Sequence, residues 1–251
     1  MFTKTMLRTA LFLATFALAN CTSTPEYENA WPKAEHAKAL VDLGMSYLQR
    51  GQFEVARANF DKAIAVDKTS SRAFHGLGLV EAQALNLSLA QNYLARAVKL
   101  DAKSTDAMAD YAIILCKISS PTEGLAVLNN AQANLTEPHV GMQLAFGRCF
   151  EANHQLEKAE HAYADVLIAS PNVRQALLSM AHLKYSTQQY LPARAFVQRY
   201  FSTNTLSSNA LLLAAQIEDK LNNTAERNKY INELRLRYPK SKQTTLAKEQ
   251  F

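Results

Sequence analysis

The sequence predicts an all-α fold, a right-handed superhelix of about six helix–turn–helix repeats. The 251 residues include only 7 Gly, 7 Pro and 1 Trp, and so few helix breakers are typical of an almost entirely helical chain. Small residues also recur at fixed places between larger apolar ones, with a period of about 34 residues. The first copy comprises Leu40, Leu43, Gly44, Tyr47, Ala56, Phe60 and Ala63, and the second comprises Phe74, Leu77, Gly78, Ala90, Leu94 and Ala97.

This pattern resembles the tetratricopeptide repeat. The resemblance implies that small residues let helices A and B of each repeat approach closely, while neighbouring repeats stack to bury their apolar faces. A repeat domain over residues 34–241 is therefore predicted. Its repeats lie near residues 37–70, 71–104, 105–138, 140–173, 174–207 and 208–241.

The first twenty residues are predicted to be a signal peptide rather than part of the fold. Lys4 and Arg8 precede an apolar run over residues 10–19 that is too short to span a membrane. The run ends in Leu-Ala-Asn-Cys at residues 18–21, which resembles a bacterial lipoprotein signal. That resemblance implies cleavage before Cys21 and acylation of Cys21, including an N-linked palmitate. The alternative is an ordinary signal peptide with Cys21 as a plain thiol.

Residues 21–33 are predicted to be the lipidated N-terminus and a tether to the fold, because they include Pro25 and Pro32 and show little periodicity. In lipoproteins an Asp after the acylated Cys favours inner-membrane retention, so Thr22 implies export to the outer membrane. We therefore expect a lipid-anchored protein at the outer membrane that faces the periplasm.

Two turns and the C-terminus can also be predicted. Gly51 suits the end of the first A helix. In the third repeat, Ser120, Pro121 and Glu123 have the spacing of a capping box for helix B. Residues 242–251 are expected to be a C-terminal tail that either caps the superhelix or frays.

The remaining cysteines, Cys116 and Cys149, are predicted to form a disulfide. They fall on the A helices of the third and fourth repeats, and adjacent A helices lie about 8–10 Å apart. The compartment that the lipoprotein signal implies is oxidising. The alternative is two buried thiols, because free Cys is common in protein cores.

No catalytic, cofactor or metal site is predicted, and we expect no enzyme. No two of the six His residues have the helical spacing of a zinc site, and no Gly-rich phosphate loop or nucleophile elbow occurs. The formal net charge is +5, and the basic residues are interspersed with acidic ones. No stripe of basic residues with aromatic residues between them occurs, which argues against nucleic-acid binding.

A groove on the concave face is the predicted binding surface. In a tetratricopeptide helix A, four offsets face this groove, and in the first repeat three of them are apolar. Such a stripe is what a peptide or helix anchor needs. The predicted groove residues are Lys38, Val41, Met45, Leu48, Arg72, His75 and Leu79. The alternative is that the tether around Trp31 covers the stripe.

The chain resembles the PilW/PilF family of type IV pilus biogenesis lipoproteins, which act as pilotins. Beyond the repeats and the lipoprotein signal, the resemblance rests on Asp-Tyr-Ala at residues 110–112 before Leu-Cys at 115–116, and on Phe-Gly-Arg-Cys at 146–149. It implies binding of secretin subunits and promotion of their localisation and assembly. We expect a monomer outside that complex. The alternative is a lipidated adaptor of outer-membrane protein assembly or of peptidoglycan enzymes.

Overall fold

A computed structural model describes residues 32–133, 135, 137, 139–203 and 206–251. Cys21 and the tether as far as Trp31 lie outside these residues. The described chain forms thirteen α-helices and no β-strand, and none of its helices is long and apolar enough to cross a membrane. The helices are α1 (Lys33–Gln49), α2 (Phe53–Val66), α3 (Ser71–Gln83), α4 (Leu87–Leu100), α5 (Thr105–Ile118), α6 (Pro121–Gln132), α7 (Val140–Ala152), α8 (Leu156–Ala169), α9 (Arg174–Ser186), α10 (Tyr190–Ser202), α11 (Ser208–Lys220), α12 (Thr224–Arg237) and α13 (Lys242–Gln250).

Consecutive helices pair, and the pairs stack in chain order. Each odd-numbered helix from α1 to α11 packs on the helix that follows it and also on the next odd-numbered helix. The even-numbered helices of the described chain make no comparable contacts with one another. The odd-numbered A helices therefore form the inner row of a superhelix and the even-numbered B helices the outer row. The predicted all-α superhelix of helix–turn–helix repeats is confirmed.

Glycines let the first two repeats close around one aromatic ring. Phe60 on α2 is fully buried, and a Cβ added at Gly44 of α1 or at Gly76 of α3 would overlap its ring. In the fourth repeat, a Cβ at Gly147 would likewise overlap the ring of Tyr163 on α8. The recurring glycine thus marks the point where an A helix approaches a B-helix side chain most closely.

The turn after helix A places one residue in the left-handed backbone region. Gly51 has φ 74°, as expected for glycine at a helix end. The equivalent residues of four later repeats are Leu85, His154, Gln188 and Asn222, with φ between 56° and 63°.

The third repeat has a different turn. Ser120 is the N-cap of α6 and Pro121 is its first residue, as predicted. The capping box itself does not form, because the Ser120 hydroxyl pairs with the hydroxyl of Thr122 at 2.6 Å instead of accepting a bond from the helix backbone.

Three junctions between repeats contain an ion pair with a buried member; by junction we mean the contact between a B helix and the next A helix. At the first junction, Arg57 of α2 pairs with Glu81 of α3, whose side chain is 0% exposed and also accepts a 2.8 Å hydrogen bond from Asn86. The fourth junction pairs Glu160 with Lys184 at 2.5 Å, with the charges reversed. The fifth pairs Arg194 with Glu218 at 3.6 Å.

The helical region of the structure extends slightly beyond the predicted repeat domain, residues 34–241, at both ends. α1 begins at Lys33, which had been assigned to the tether. Residues 242–250 form α13 instead of a frayed tail, because Ser241 caps the helix by accepting a bond from the Thr244 N–H, and Ala247 is fully buried. α13 packs on α11 and α12 and so covers the last repeat, as a solenoid end requires.

Candidate functional site

The first-repeat groove is the part of the inner row formed by α1 and α3. Of the residues predicted to face it, Lys38 and Arg72 are exposed, whereas Met45, Leu48, His75 and Leu79 are half-buried.

Val41 does not face this groove, and that part of the prediction is wrong. It is only 1% exposed and packs in a buried cluster with Ala73 and Leu77 of α3. Consecutive A helices touch directly, so α3 covers the position. The apolar stripe of the groove therefore consists of Met45 and Leu48, continued by Leu79.

Leu43, one of the large apolar residues of the repeat pattern on α1, is 46% exposed. In a stacked repeat this position packs against the preceding repeat, and the described chain has no helix before α1. Phe53 and Val55 of the same repeat are also exposed. The first repeat thus carries more uncovered apolar surface than the sequence pattern suggests.

Two basic residues of the first-repeat groove, Arg72 and His75, are paired within the fold. Arg72 Nη2 lies 2.7 Å from Asp42 Oδ1, and His75 Nε2 lies 2.7 Å from Asp110 Oδ2. Sequence reasoning missed both carboxylates. The available signal was their register, since Asp42 and Asp110 occupy the same position in the first and third repeats. With these charges compensated, the apolar stripe is the main feature that a partner would meet.

A second site lies farther along the inner row, where α5, α7 and α9 enclose a cavity of about 440 Å³. We call it the central cavity. Its lining consists of Ile113, Cys116, Lys117, Arg148, Glu151, Gln175, Leu178, Ser179 and His182. No binding site is predicted here from the sequence, although all the lining residues except Lys117 and Ser179 fall at groove-facing positions of the third to fifth repeats.

A disulfide forms one wall of the central cavity. Cys116 of α5 and Cys149 of α7 are joined, with a Cα–Cα distance of 5.3 Å. Gly124 of α6 packs directly behind the bond, and a Cβ there would overlap the Cys116 Sγ and the carbonyl oxygen of Ala112. The bridge therefore fixes the spacing of α5 and α7 at the position where the cavity opens.

The central cavity contains two cations and one carboxylate. Glu151 accepts a hydrogen bond from the hydroxyl of Tyr163, and burial raises the pKa of the Glu151 carboxyl above its usual value. Burial lowers the pKa of Lys117, and the nearby positive charge of Arg148 lowers it further. Burial also lowers the pKa of His182, which keeps that imidazole neutral at neutral pH. The cavity therefore has a net positive charge.

The described residues offer no metal centre, since no three of their His, Cys, Asp or Glu side chains lie close enough to hold an ion. What the inner row presents is a binding surface with an apolar part and a cationic part.

Comparisons with known proteins agree with this fold. Residues 37–70 match the family model of the tetratricopeptide repeat. The type IV pilus assembly protein PilF of Pseudomonas aeruginosa is 23% identical over 237 residues, which cover 92% of this chain and 93% of that protein.

Two solved structures are similar over most of their length. The crystal structure of PilW, described as a widely conserved type IV pilus biogenesis factor, matches with a TM-score of 0.64 and 23% identity over 84% of this chain and 97% of that one. A structure of P. aeruginosa PilF matches with a TM-score of 0.59 and 22% identity over 87% of this chain and 99% of that one. The resemblance to these proteins that the sequence suggested is confirmed.

Proposed function

We propose that this chain acts in type IV pilus biogenesis as a lipid-anchored outer-membrane protein that binds secretin subunits and promotes their localisation and assembly. The observation that carries the proposal is the end-to-end similarity to PilF, a protein named for type IV pilus assembly. The similarity covers the repeats from first to last, so it is not limited to one generic repeat.

The first-repeat groove is the proposed contact with the secretin. Met45 and Leu48 are partly exposed on α1, and Leu43 and Leu79 extend the apolar surface on either side. A short apolar segment of a partner can bury its side chains there, which is the usual way in which grooves anchor peptides. Arg72 and His75 are already paired, so binding at this groove rests mainly on the apolar stripe, with Lys38 as an exposed cation beside it.

The mechanism combines this groove with a membrane anchor. An acylated Cys21 with two or three chains would hold the protein stably at the outer membrane, where one chain alone is marginal. Secretin subunits captured by the groove would then be held at the membrane at a raised effective concentration, which favours ring assembly without any catalytic step.

The test replaces Met45 and Leu48 together with Glu. Two charges in the apolar stripe should reduce capture of the secretin from solubilised outer membranes by about tenfold or more, which is at least 1.4 kcal/mol of binding free energy. In a deletion strain complemented with this variant, secretin multimers and twitching motility should be lost.

The matched control places Glu at Ile168 and Leu236, which are 80% and 75% exposed on the B helices α8 and α12. Thermal unfolding of both variants establishes that they are folded. Secretin capture by the folded Met45/Leu48 variant at the level of the control would reject the groove, and intact multimers in the deletion strain would reject the function.

The anchor has its own test, since Cys21→Ser removes the proposed acylation site. This variant should move from the outer-membrane fraction to the soluble periplasm while still binding secretin in solution. Unchanged fractionation would reject the lipid anchor and leave the groove untouched.

A further inference from the structure

We propose that the central cavity is a second binding site, which holds an acidic, extended segment of a partner polypeptide through Lys117 and Arg148. This inference does not depend on the pilus function or on the first-repeat groove. It follows from the charges, the lining and the position of the cavity.

The two cations of the cavity have no carboxylate partner in the described chain. By contrast, Arg72 of the inner row pairs with Asp42, His75 with Asp110, and Lys184 with Glu160. Neither Lys117 nor Arg148 lies within 4.0 Å of a carboxylate oxygen among the described residues.

Glu151 is the one acidic residue of the lining; the positive charge of Arg148 acts on it and favours its charged form, but one carboxylate cannot balance two cations. Its carboxylate accepts the hydroxyl hydrogen of Tyr163, a residue that is itself fully buried. Burial raises the pKa of Glu151 and so favours its uncharged form. Burial and the positive charge of Arg148 both lower the pKa of Lys117, because the two adjacent cations repel each other. An anion that entered the cavity would relieve the repulsion between Lys117 and Arg148 and form charge-assisted hydrogen bonds with both.

The rest of the lining favours a peptide over a free small anion. Ile113 and Leu178 supply apolar contacts, while Gln175 and Ser179 supply side-chain hydrogen-bonding groups. A cavity of about 440 Å³ holds several side chains, whereas a single phosphate would leave most of its apolar lining unused. An extended chain in which acidic and apolar residues alternate would contact both the cations and the apolar side chains of the lining. Its main-chain amides would form hydrogen bonds with the polar side chains.

The position of the cavity also suits an extended segment. It lies on the inner row, where α5, α7 and α9 succeed one another, so a chain that follows the row crosses all three helices. The disulfide between Cys116 and Cys149 holds two of these helices at a fixed spacing. A preformed site of this kind loses less ordering free energy on binding than a mobile one.

The experiment measures binding of a fluorescein-labelled decapeptide in which Glu alternates with Leu and Ala, by anisotropy at low salt with the oxidised protein. The comparison peptide has Gln in place of every Glu. We expect the Glu peptide to bind about tenfold more tightly than the Gln peptide, because hydrogen bonds to charged groups contribute more than neutral ones. The variant Lys117→Gln with Arg148→Gln should lose that difference.

The matched control is Lys62→Gln with Lys99→Gln, which removes the same charge from the exposed surface of the B helices α2 and α4. It should bind the Glu peptide as the unmodified protein does. A second variant, Glu151→Gln, keeps both cations and the hydrogen bond to Tyr163, and it should bind the Glu peptide about twofold or more tightly. If the Lys117/Arg148 variant does not fold, the affinity of the Glu151→Gln variant for the Glu peptide tests the proposal instead.

Three results would overturn the proposal. The first is equal affinity for the Glu and Gln peptides. The second is equal loss of Glu-peptide binding in the cavity variant and in the surface control. The third is displacement of the Glu peptide by inorganic phosphate at concentrations where chloride has no effect, which would make the cavity a small-anion site. Failure of the secretin experiments changes none of these measurements, so the two proposals fail separately.

Discussion

The first-repeat groove and the central cavity lie on the same row of A helices, but different interactions hold their walls. Beside the groove, Arg57 of α2 pairs with the buried carboxylate of Glu81 on α3, which is one of the two groove helices. At the central cavity the Cys116–Cys149 bond joins the A helices of the third and fourth repeats directly. The α3 wall of the groove is thus held by a polar contact, whereas α5 and α7 of the cavity are joined covalently and α9 is held by the Lys184–Glu160 pair.

The two sites also differ in how their charges are satisfied. Around the groove, Asp42 pairs with Arg72 and Asp110 with His75, and an apolar stripe is left partly exposed. In the cavity, Lys117 and Arg148 remain unpaired among the described residues, and Glu151 is bound to Tyr163. A repeat scaffold can thus present chemically different surfaces along one row, because the scaffold positions are constrained by packing and the groove positions are not.

The largest effect is expected at the first junction. Arg57→Leu leaves Glu81 buried with only the Asn86 amide as a partner, and should lower the free energy of unfolding by about 3 kcal/mol, at the low end for breaking a buried pair because Arg57 is partly exposed. Urea unfolding checks the value. The second substitution Glu81→Gln should restore much of the loss, because a neutral amide needs no counter-ion.

The matched control for this variant is Gln91→Leu. Gln91 occupies the equivalent position at the second junction, where it makes only a long 3.5 Å hydrogen bond to Ser119. Its replacement should change the free energy of unfolding by no more than about 0.5 kcal/mol. Equal effects at the two positions would contradict the view that the ion pair holds the first junction.

The next largest effect concerns the covalent wall of the cavity. Replacing Cys116 and Cys149 with Ala should lower the free energy of unfolding by about 2–4 kcal/mol, because the bridge closes a chain segment with a sequence separation of 33. A reducing agent should destabilise the unmodified protein by a similar amount and have no effect on the variant. Two free thiols at these positions in unfolded, unreduced protein would contradict the bridge.

The repeat frame was predictable from sequence because its signal is local and repeated. Gly44, Ala56 and Phe60 keep the same spacing in successive repeats, since each helix pair must bring a small residue against a large one. The position of the helices and the proximity of Cys116 to Cys149 follow from that frame. These predictions need only the spacing within a repeat and the rule that consecutive repeats stack; they do not need the contacts that individual side chains make.

The details of the sites were less predictable because they depend on the neighbouring repeat. Val41 is buried since α3 covers it, and Leu43 is exposed since no described helix precedes α1. The central cavity combines residues from three A helices, and its unpaired cations become evident only when the other inner-row pairs are located. The position of a residue in the repeat predicts the direction in which its side chain points from its own helix. It does not predict which residues of the neighbouring repeat contact that side chain.

The smallest expected effect is a pH-dependent change in stability that arises from Glu151 of the central cavity. Burial raises the pKa of Glu151 in the folded state, so its contribution to stability is full below the unfolded pKa and is lost as pH rises through the folded pKa. Glu151→Gln should therefore stabilise the protein by about 0.5 kcal/mol or less at neutral pH and not in acid. Asp61→Asn, on the exposed surface of α2, is the matched control that removes one carboxylate outside the cavity. Because burial makes the charged form of Glu151 costly, a stabilisation that grew toward acid pH would mean that the carboxylate is well paired and that its pKa is lowered by folding instead of raised.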